Sequence, residues 1–379
     1  MDYDVVIVGA GPAGASAARF LAGAGATVAL VDAARFPRPK PCAGWLSDRA
    51  VRDYPFIDAA RRKVKATPFK RLTFHSADFS RVARYGGRAH AGHVVVRSKF
   101  DTALVQAARR AGAKTVLGKK VAAVETGEHR VVAVLENGRR VAGRILVGAD
   151  GVHSMVARAT GLRSGWGDDH LVVTLSKTIS LTARRKTACF GTSSVHVSLG
   201  FGGASGYAWA FPGARHASIG IGVRGRDAGR LEELYAAWVE GLKAGDMLPK
   251  GANLDNPQGA AVPAGAAVEF ENHVGKRTVL IGDAGGFASA ASGEGIYPGI
   301  ISAEVASDCI LKALAAEGGR KDGTTCQDEL LEFRTRWRRR MAPHLQMPNV
   351  NMTFLLPLIF TNQEICDRFA RAFLFGENL

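Results

Sequence analysis

Gly9-Ala10-Gly11-Pro12-Ala13-Gly14 stands between a short β-branched run, Asp4-Val5-Val6-Ile7-Val8, and a stretch from about Pro12 to Ala24 that is rich in small residues. The run reads as a buried parallel strand and the stretch as a closely packed helix. Thr27 to Val31 reads as the next strand and ends at Asp32, eighteen residues after Gly14. Strand, glycine turn, helix, strand and terminal acid in that order specify a βαβ unit that binds a dinucleotide. The glycines let the chain turn and let a pyrophosphate approach backbone N–H groups at a helix N-terminus. Asp32 would then hold ribose hydroxyls; on the plainer reading it is a solvated strand end.

A chain of 379 residues needs more than this one unit, and two domains are expected. Apolar residues at 47% and charged residues at 22% describe a packed protein. Glycine, at 45 residues, exceeds the ~7% average and implies many tight turns. The net charge of +16 admits nucleic acid, an anionic membrane surface or an acidic ligand without choosing among them. Cys42, Cys189, Cys309, Cys326 and Cys366 are scattered with no CxxC pair, so neither a metal site nor a disulfide framework is expected, and a reducing cytoplasm fits. The apolar run Val5 to Val31 is long enough to span a membrane, but it holds five glycines, Pro12 and Arg19 behind an acidic flank. Neither a transmembrane helix nor an export signal is expected.

Further along, a loop with four prolines runs from Arg35 to Gly44, and Arg97 to Ala111 shows a helical apolar face through Phe100, Leu104, Val105 and Ala108. Strands follow over Val121–Glu125, Arg130–Leu135 and Arg144–Gly148, with a hairpin signal at Asn137-Gly138. Residues 166–260 turn β-rich, Val279 to Asp283 reads again as a buried strand, and a helix is expected from about Pro298 to Ala315. The tail from 325 reads as helical, very basic from Arg334 to Arg340 and then hydrophobic.

Two later motifs decide which dinucleotide. Val147-Gly148-Ala149-Asp150-Gly151-Val152-His153-Ser154 and Leu280-Ile281-Gly282-Asp283-Ala284 each place a Gly–Asp pair after a buried strand. With the first motif they resemble the p-hydroxybenzoate hydroxylase-like flavoproteins, which implies FAD. Alone, Asp150 or Asp283 reads as a helix-capping carboxylate. Lys40-Pro41-Cys42-Ala43-Gly44, Arg97-Ser98-Lys99-Phe100-Asp101, Tyr207-Ala208-Trp209-Ala210-Phe211-Pro212 and Gly293-Glu294-Gly295-Ile296 narrow the resemblance to the geranylgeranyl reductase family. Ala43 departs from that family's usual glycine, and the C-terminal segment has no match.

The resemblance implies an α/β fold: a Rossmann-type FAD-binding domain of residues 1–65, 97–165 and 262–320, a β-sheet-rich substrate domain of 66–96 and 166–261, and a helical C-terminal segment of 321–379. Cofactor contacts are expected from Gly9, Gly11, Pro12, Ala13, Gly14, Asp32, Ala33, Arg35, Cys42, Ala43, Gly44, Arg97, Val121, Asp150, Gly151 and Ser154. The third segment would add Gly282, Asp283, Gly293, Glu294, Gly295 and Ile296, the backbone of 293–295 aiming N–H groups at the flavin. Tyr207, Trp209 and Phe211 alternate, so a strand puts all three on one side, as a wall for an apolar substrate or as ordinary core. Cys42, near Arg35, Arg38 and Lys40, and Tyr207 are candidate catalytic groups, the cations being expected to depress the thiol pKa.

The function this implies is reduction of carbon–carbon double bonds in an isoprenoid or lipid-like substrate, with NAD(P)H or another external donor. The runner-up is an aromatic or polyketide monooxygenase. A flavin halogenase fits less well, because Tyr207 and Phe211 replace two residues of its WxWxIP motif, and a non-catalytic prenyl-lipid carrier has no need of three FAD segments. Arg334, Arg336 and Arg338 to Arg340 read as a solvated basic face or a peripheral membrane contact; no motif supports nucleic acid.

Overall fold

The computed structural model describes residues 2–87, 89–318, 327–346 and 352–377; Cys326 and the expected boundary at 320–321 lie outside them. The chain forms two compact units, each assembled from three stretches. The first comprises Met1–Arg38, Ser98–Trp166 and Pro263–Gln346; the second comprises Pro39–Arg97, Gly167–Val262 and Met347–Leu379. Residues 39–65 thus group with the second unit, although the motifs place them with the cofactor domain: strand Trp45–Ser47 finds its hydrogen-bond partner in Gly92–Val94. The tail divides as well, its last two helices grouping with the second unit.

In the first unit, strand Tyr3–Val8 lies between Val28–Asp32 and Arg140–Gly148, parallel to both. Lys114–Leu117 extends this sheet on one side and Thr278–Leu280 on the other, again in parallel. Val5, Val6 and Ile7 are fully buried, as a strand covered on both faces requires. Strands Val121–Thr126, Val131–Leu135 and Arg140–Gly148 make the expected antiparallel meander, with Gly138 at φ +80° in its turn. Ala13, Ala15, Ala17 and Ala18 let helix Pro12–Gly23 pack closely on helix Ile296–Gly318. That second helix begins two residues before Pro298, which sits in the first turn, where its missing N–H breaks no helical bond.

The second unit is built on a seven-stranded sheet, whose strands pair antiparallel except where Ser194–Leu199 runs parallel to Arg71–His75. Alternation in Gly206–Pro212 sorts its side chains as the period-two pattern requires. Ala208 and Ala210 join Ile219, Ile221 and Val223 beneath helix Leu231–Ala244, whose Trp238 donates its Nε1–H to the Trp209 carbonyl at 3.1 Å. Trp209 and Phe211 face the other way, toward Trp45, Phe69, Phe369 and Phe373. Helix Gln363–Phe375 therefore covers the aromatic face, which explains why the unmatched tail turns apolar.

The basic segment lies in helix Gln327–Leu345, with Phe333 and Trp337 fully buried. Four of its arginines find partners inside the first unit: Arg336 pairs with Asp308 at 2.8 Å, Arg340 with Glu304 at 3.8 Å, and Arg338 and Arg334 donate to the Phe270 and Val274 carbonyls. Arg339 and Arg340 remain exposed. Among the described residues no helix is long and apolar enough to cross a membrane.

Candidate functional site

The three glycine motifs of the first unit meet backbone to backbone. Gly9, at φ +102°, lies so close to the second motif that a Cβ would stand 2.2 Å from the Ala149 carbonyl oxygen. A Cβ on Gly14 would lie 1.8 Å from the Gly9 carbonyl oxygen. From the third motif, Gly282 presses on Ala13, where a Cβ would come within 2.8 Å, and Gly295 faces Asp283 Oδ1 at 3.2 Å from its would-be Cβ. Packing alone forces glycine at 9, 14 and 282.

Gly11 is different. Its backbone is ordinary, at φ −67°, and among the described residues a Cβ there would meet nothing nearer than Arg38 Nη2 at 3.7 Å. The side of the loop left open is the side a pyrophosphate needs, at the first turn of helix Pro12–Gly23. Arg38 supplies a cation beside it, pairing with the fully buried Asp101 at 3.5 Å and lying 5.0 Å from the Phe36 ring centroid. Open space, helix terminus and a tethered guanidinium fit FAD.

Asp32 is neither free nor simply solvated. Its two oxygens accept from Ala10 N–H at 2.6 Å and Ala34 N–H at 2.7 Å, fixing the glycine loop to the strand end. Lone pairs remain on both oxygens for hydroxyl groups. Ala33 is exposed just beyond it, and Arg35 lies across Gly118, where a Cβ would meet its Cγ at 2.7 Å. Arg38, one of the cations expected to act on the Cys42 thiol, is thus paired with Asp101, while Arg35 is exposed. Asp150 takes the capping role: it accepts from Ser154 Oγ at 2.5 Å, Met155 N–H at 2.7 Å and Val156 N–H at 3.0 Å. Burial raises its pKa, and these hydrogen bonds pull it back down. Gly151, at φ +84°, has open space around its Cα. Val121 opens the Val121–Thr126 strand with its side chain in the sheet core.

The 293–296 loop departs from expectation in part. Gly293 N–H donates to the Ser289 carbonyl at 2.9 Å and Glu294 N–H to Ser292 Oγ at 3.3 Å, so both donors are occupied within the loop. The Glu294 carboxylate turns inward, 3.5 Å from His344 Nε2. His344 went unread in the sequence, as did Arg163. That buried guanidinium stands 3.5 Å above the Trp166 ring centroid and donates from Nη2 to the Ala284 carbonyl at 2.7 Å, bracing the third motif. Burial lowers its pKa to about 10. No local pattern marks either residue, because each acts on a loop far away in sequence.

In the second unit, Gly44 at φ +78° turns the chain so tightly that a Cβ would fall 2.4 Å from the Val95 carbonyl oxygen. Half-buried Cys42 precedes it, its Sγ accepting from Gly44 N–H at 3.3 Å, with Ala43 packed at the edge of the aromatic cluster. Trp209 Nε1–H donates to Ser218 Oγ at 3.1 Å, and Ser218 Oγ donates to the Cys42 carbonyl at 3.2 Å. The aromatic strand thereby holds the cysteine loop. Trp209 and Phe211 are 4% and 1% exposed, whereas Tyr207 is half-buried, edge-on to Phe373 at 5.3 Å. Arg97, half-buried, opens helix Arg97–Arg110. Trp209→Phe is expected to keep the ring packing but remove the N–H, lowering stability by about 1 kcal/mol with flavin content unchanged. Thermal melts and visible spectra of one preparation check it.

Comparison with known proteins places the site in context. An FAD binding domain family matches residues 2–321. The menaquinone reductase of Mycolicibacterium smegmatis is 31% identical over 349 residues, covering 87% of this chain and 80% of that protein. The geranylgeranyl diphosphate reductase of Rhodobacter capsulatus is 30% identical over 308 residues, 78% of this chain and 72% of its own length. A geranylgeranyl bacteriochlorophyll reductase-like protein from Thermoplasma acidophilum shares the fold with a TM-score of 0.79 at 20% identity, over 100% of this chain and 92% of that one.

Proposed function

The chain is an FAD-dependent oxidoreductase of the geranylgeranyl reductase family, and from that premise we propose that it hydrogenates carbon–carbon double bonds in an isoprenoid chain, with NADPH or NADH as the external donor. The observation that carries the reading is the open Gly11 side among three interlocked glycine motifs, in a chain whose relatives are named for reducing geranylgeranyl and menaquinone substrates. Bound FAD supplies the hydride once reduced. Gly11, Pro12 and Ala13 would hold its pyrophosphate with Arg38 alongside, Asp32 its ribose, and Asp283 and Gly295 the third contact.

The protein's own residues bind the chain and deliver the proton. Tyr207, with the apolar cluster behind it, would offer an isoprenoid an aromatic surface. Each saturated double bond takes up a hydride and a proton, and Cys42 and Tyr207, both half-buried, are the groups proposed to hold that proton. Under strict exclusion of oxygen, protein reduced by NADPH, NADH or dithionite should convert geranylgeranyl diphosphate or menaquinone into a product heavier by two hydrogen atoms per bond reduced. A product formed only in air, and heavier by one oxygen atom, would replace this reading with a monooxygenase.

A further inference from the structure

The second unit gathers three metal-ligating side chains that the sequence scatters. Asp48 opens helix Asp48–Asp53, His93 is the middle residue of strand Gly92–Val94, and His90 lies in the loop before that strand. One ligand atom from each stands within 4.8 Å of the other two. Register explains the meeting: Ser47 pairs with Gly92 and Leu46 with His93, so the residue following Ser47 emerges beside the loop that leads into Gly92. His93 is 2% exposed, and its buried Nδ1 has no hydrogen-bond partner among the described residues. A buried ring nitrogen left so costs free energy and needs an explanation.

We propose that Asp48, His90 and His93 form a site for a divalent transition cation, with Zn2+ as the type case. Two imidazoles and one carboxylate suit such an ion, whereas Mg2+ and Ca2+ seek oxygen ligands. Three protein ligands leave a fourth position for water. Bonds of ~2 Å to the metal require the ligand atoms to draw together, and His90, exposed on its loop, has the freedom to do so. Asp48 at present pairs with Arg52 at 3.3 Å, but that guanidinium is 65% exposed and such a pair contributes little. Arg61, close enough to oppose charge on His93, is itself held by Asp58 at 2.6 Å. A bound cation would staple the His90 loop to the helix start. It would thereby fix strand Trp45–Ser47, whose Trp45 stacks on Phe373 at a 5.6 Å centroid distance.

The test uses the untagged full-length protein, stripped with a chelator and titrated with Co2+, whose visible bands report coordination. One Co2+ per chain should bind and be displaced by Zn2+, and Zn2+ should raise the melting temperature. His90→Ala, at an exposed position that leaves the fold intact, and Asp48→Asn, which keeps the side chain's shape, should each weaken binding on the order of 100-fold and abolish the thermal shift. Flavin content, unaffected by either change, keeps this outcome separate from the FAD assignment. Absence of stoichiometric uptake, or uptake unchanged in either variant, would overturn the site.

Discussion

Gly11→Trp should fold and melt like the FAD-free parent protein while losing all bound FAD. The backbone at Gly11 has a φ any residue adopts, and a side chain there leaves toward open space past Arg38. An indole would occupy the volume the pyrophosphate requires beside the N–H groups of the helix terminus. Gly14→Val is the contrasting control. Its Cβ, 1.8 Å from the Gly9 carbonyl oxygen, has to push apart the first strand and its helix, so that variant is expected not to fold at all. Visible absorbance and circular dichroism on both variants separate a lost cofactor from a lost fold. A Gly11→Trp protein that stays yellow would remove the pyrophosphate from this loop.

Acid should destabilise the protein well above the range where carboxylates titrate. His196 Nε2–H donates to the Phe190 carbonyl at 3.0 Å, so its Nδ1 is left to accept from His75 Nε2–H, also at 3.0 Å. Both rings are neutral in this chain of bonds. Burial first, with the neighbouring histidine and Arg84 adding to it, pushes His75 down to about 4, and burial pushes His196 to about 4 as well. In the first unit, burial pushes His273 to about 3, among Phe287, Phe333 and Trp337, despite its bond to the Gly285 carbonyl. Folded pKa values below the unfolded 6.5 mean that the unfolded chain binds more protons between them. Stability is therefore full above about pH 6.5 and drains away as pH falls toward 4 and then 3. For His273 alone the loss is on the order of 5 kcal/mol, at about 1.4 kcal/mol per pH unit. Denaturant melts between neutral and mildly acid pH should show it, and His273→Phe should flatten the lower part of the curve. A pH-independent midpoint down to about pH 4 would contradict the neutral buried rings.

What could be read from the sequence follows how local each cause is. The glycine fingerprint was legible because strand, turn, helix and acid are contiguous, and Tyr207, Trp209 and Phe211 segregated from Ala208 and Ala210 because a strand alternates by geometry. The His75–His196 bond joins residues 121 positions apart, as does the Arg163 bond to Ala284, and no periodicity announces such pairs. The grouping of residues 39–65 was hidden for the same reason, since strand Trp45–Ser47 finds its partner only at Gly92–Val94. Asp150 shows a different limit: a Gly–Asp pair after a strand has the same letters whether the carboxylate caps a helix or meets a ligand.

The three-part make-up of the second unit sets a timetable for the ribosome. Arg71–His75 leaves the exit tunnel long before Ser194–Leu199, its parallel neighbour, has been translated. The aromatic side of the sheet then stays uncovered until Gln363–Phe375 arrives. Throughout that interval Trp45, Phe74, Trp209 and Phe211 present an adhesive surface to other chains. The slower the stretch from Gly206–Pro212 to Gln363–Phe375 is made, the longer that surface is open to misassociation.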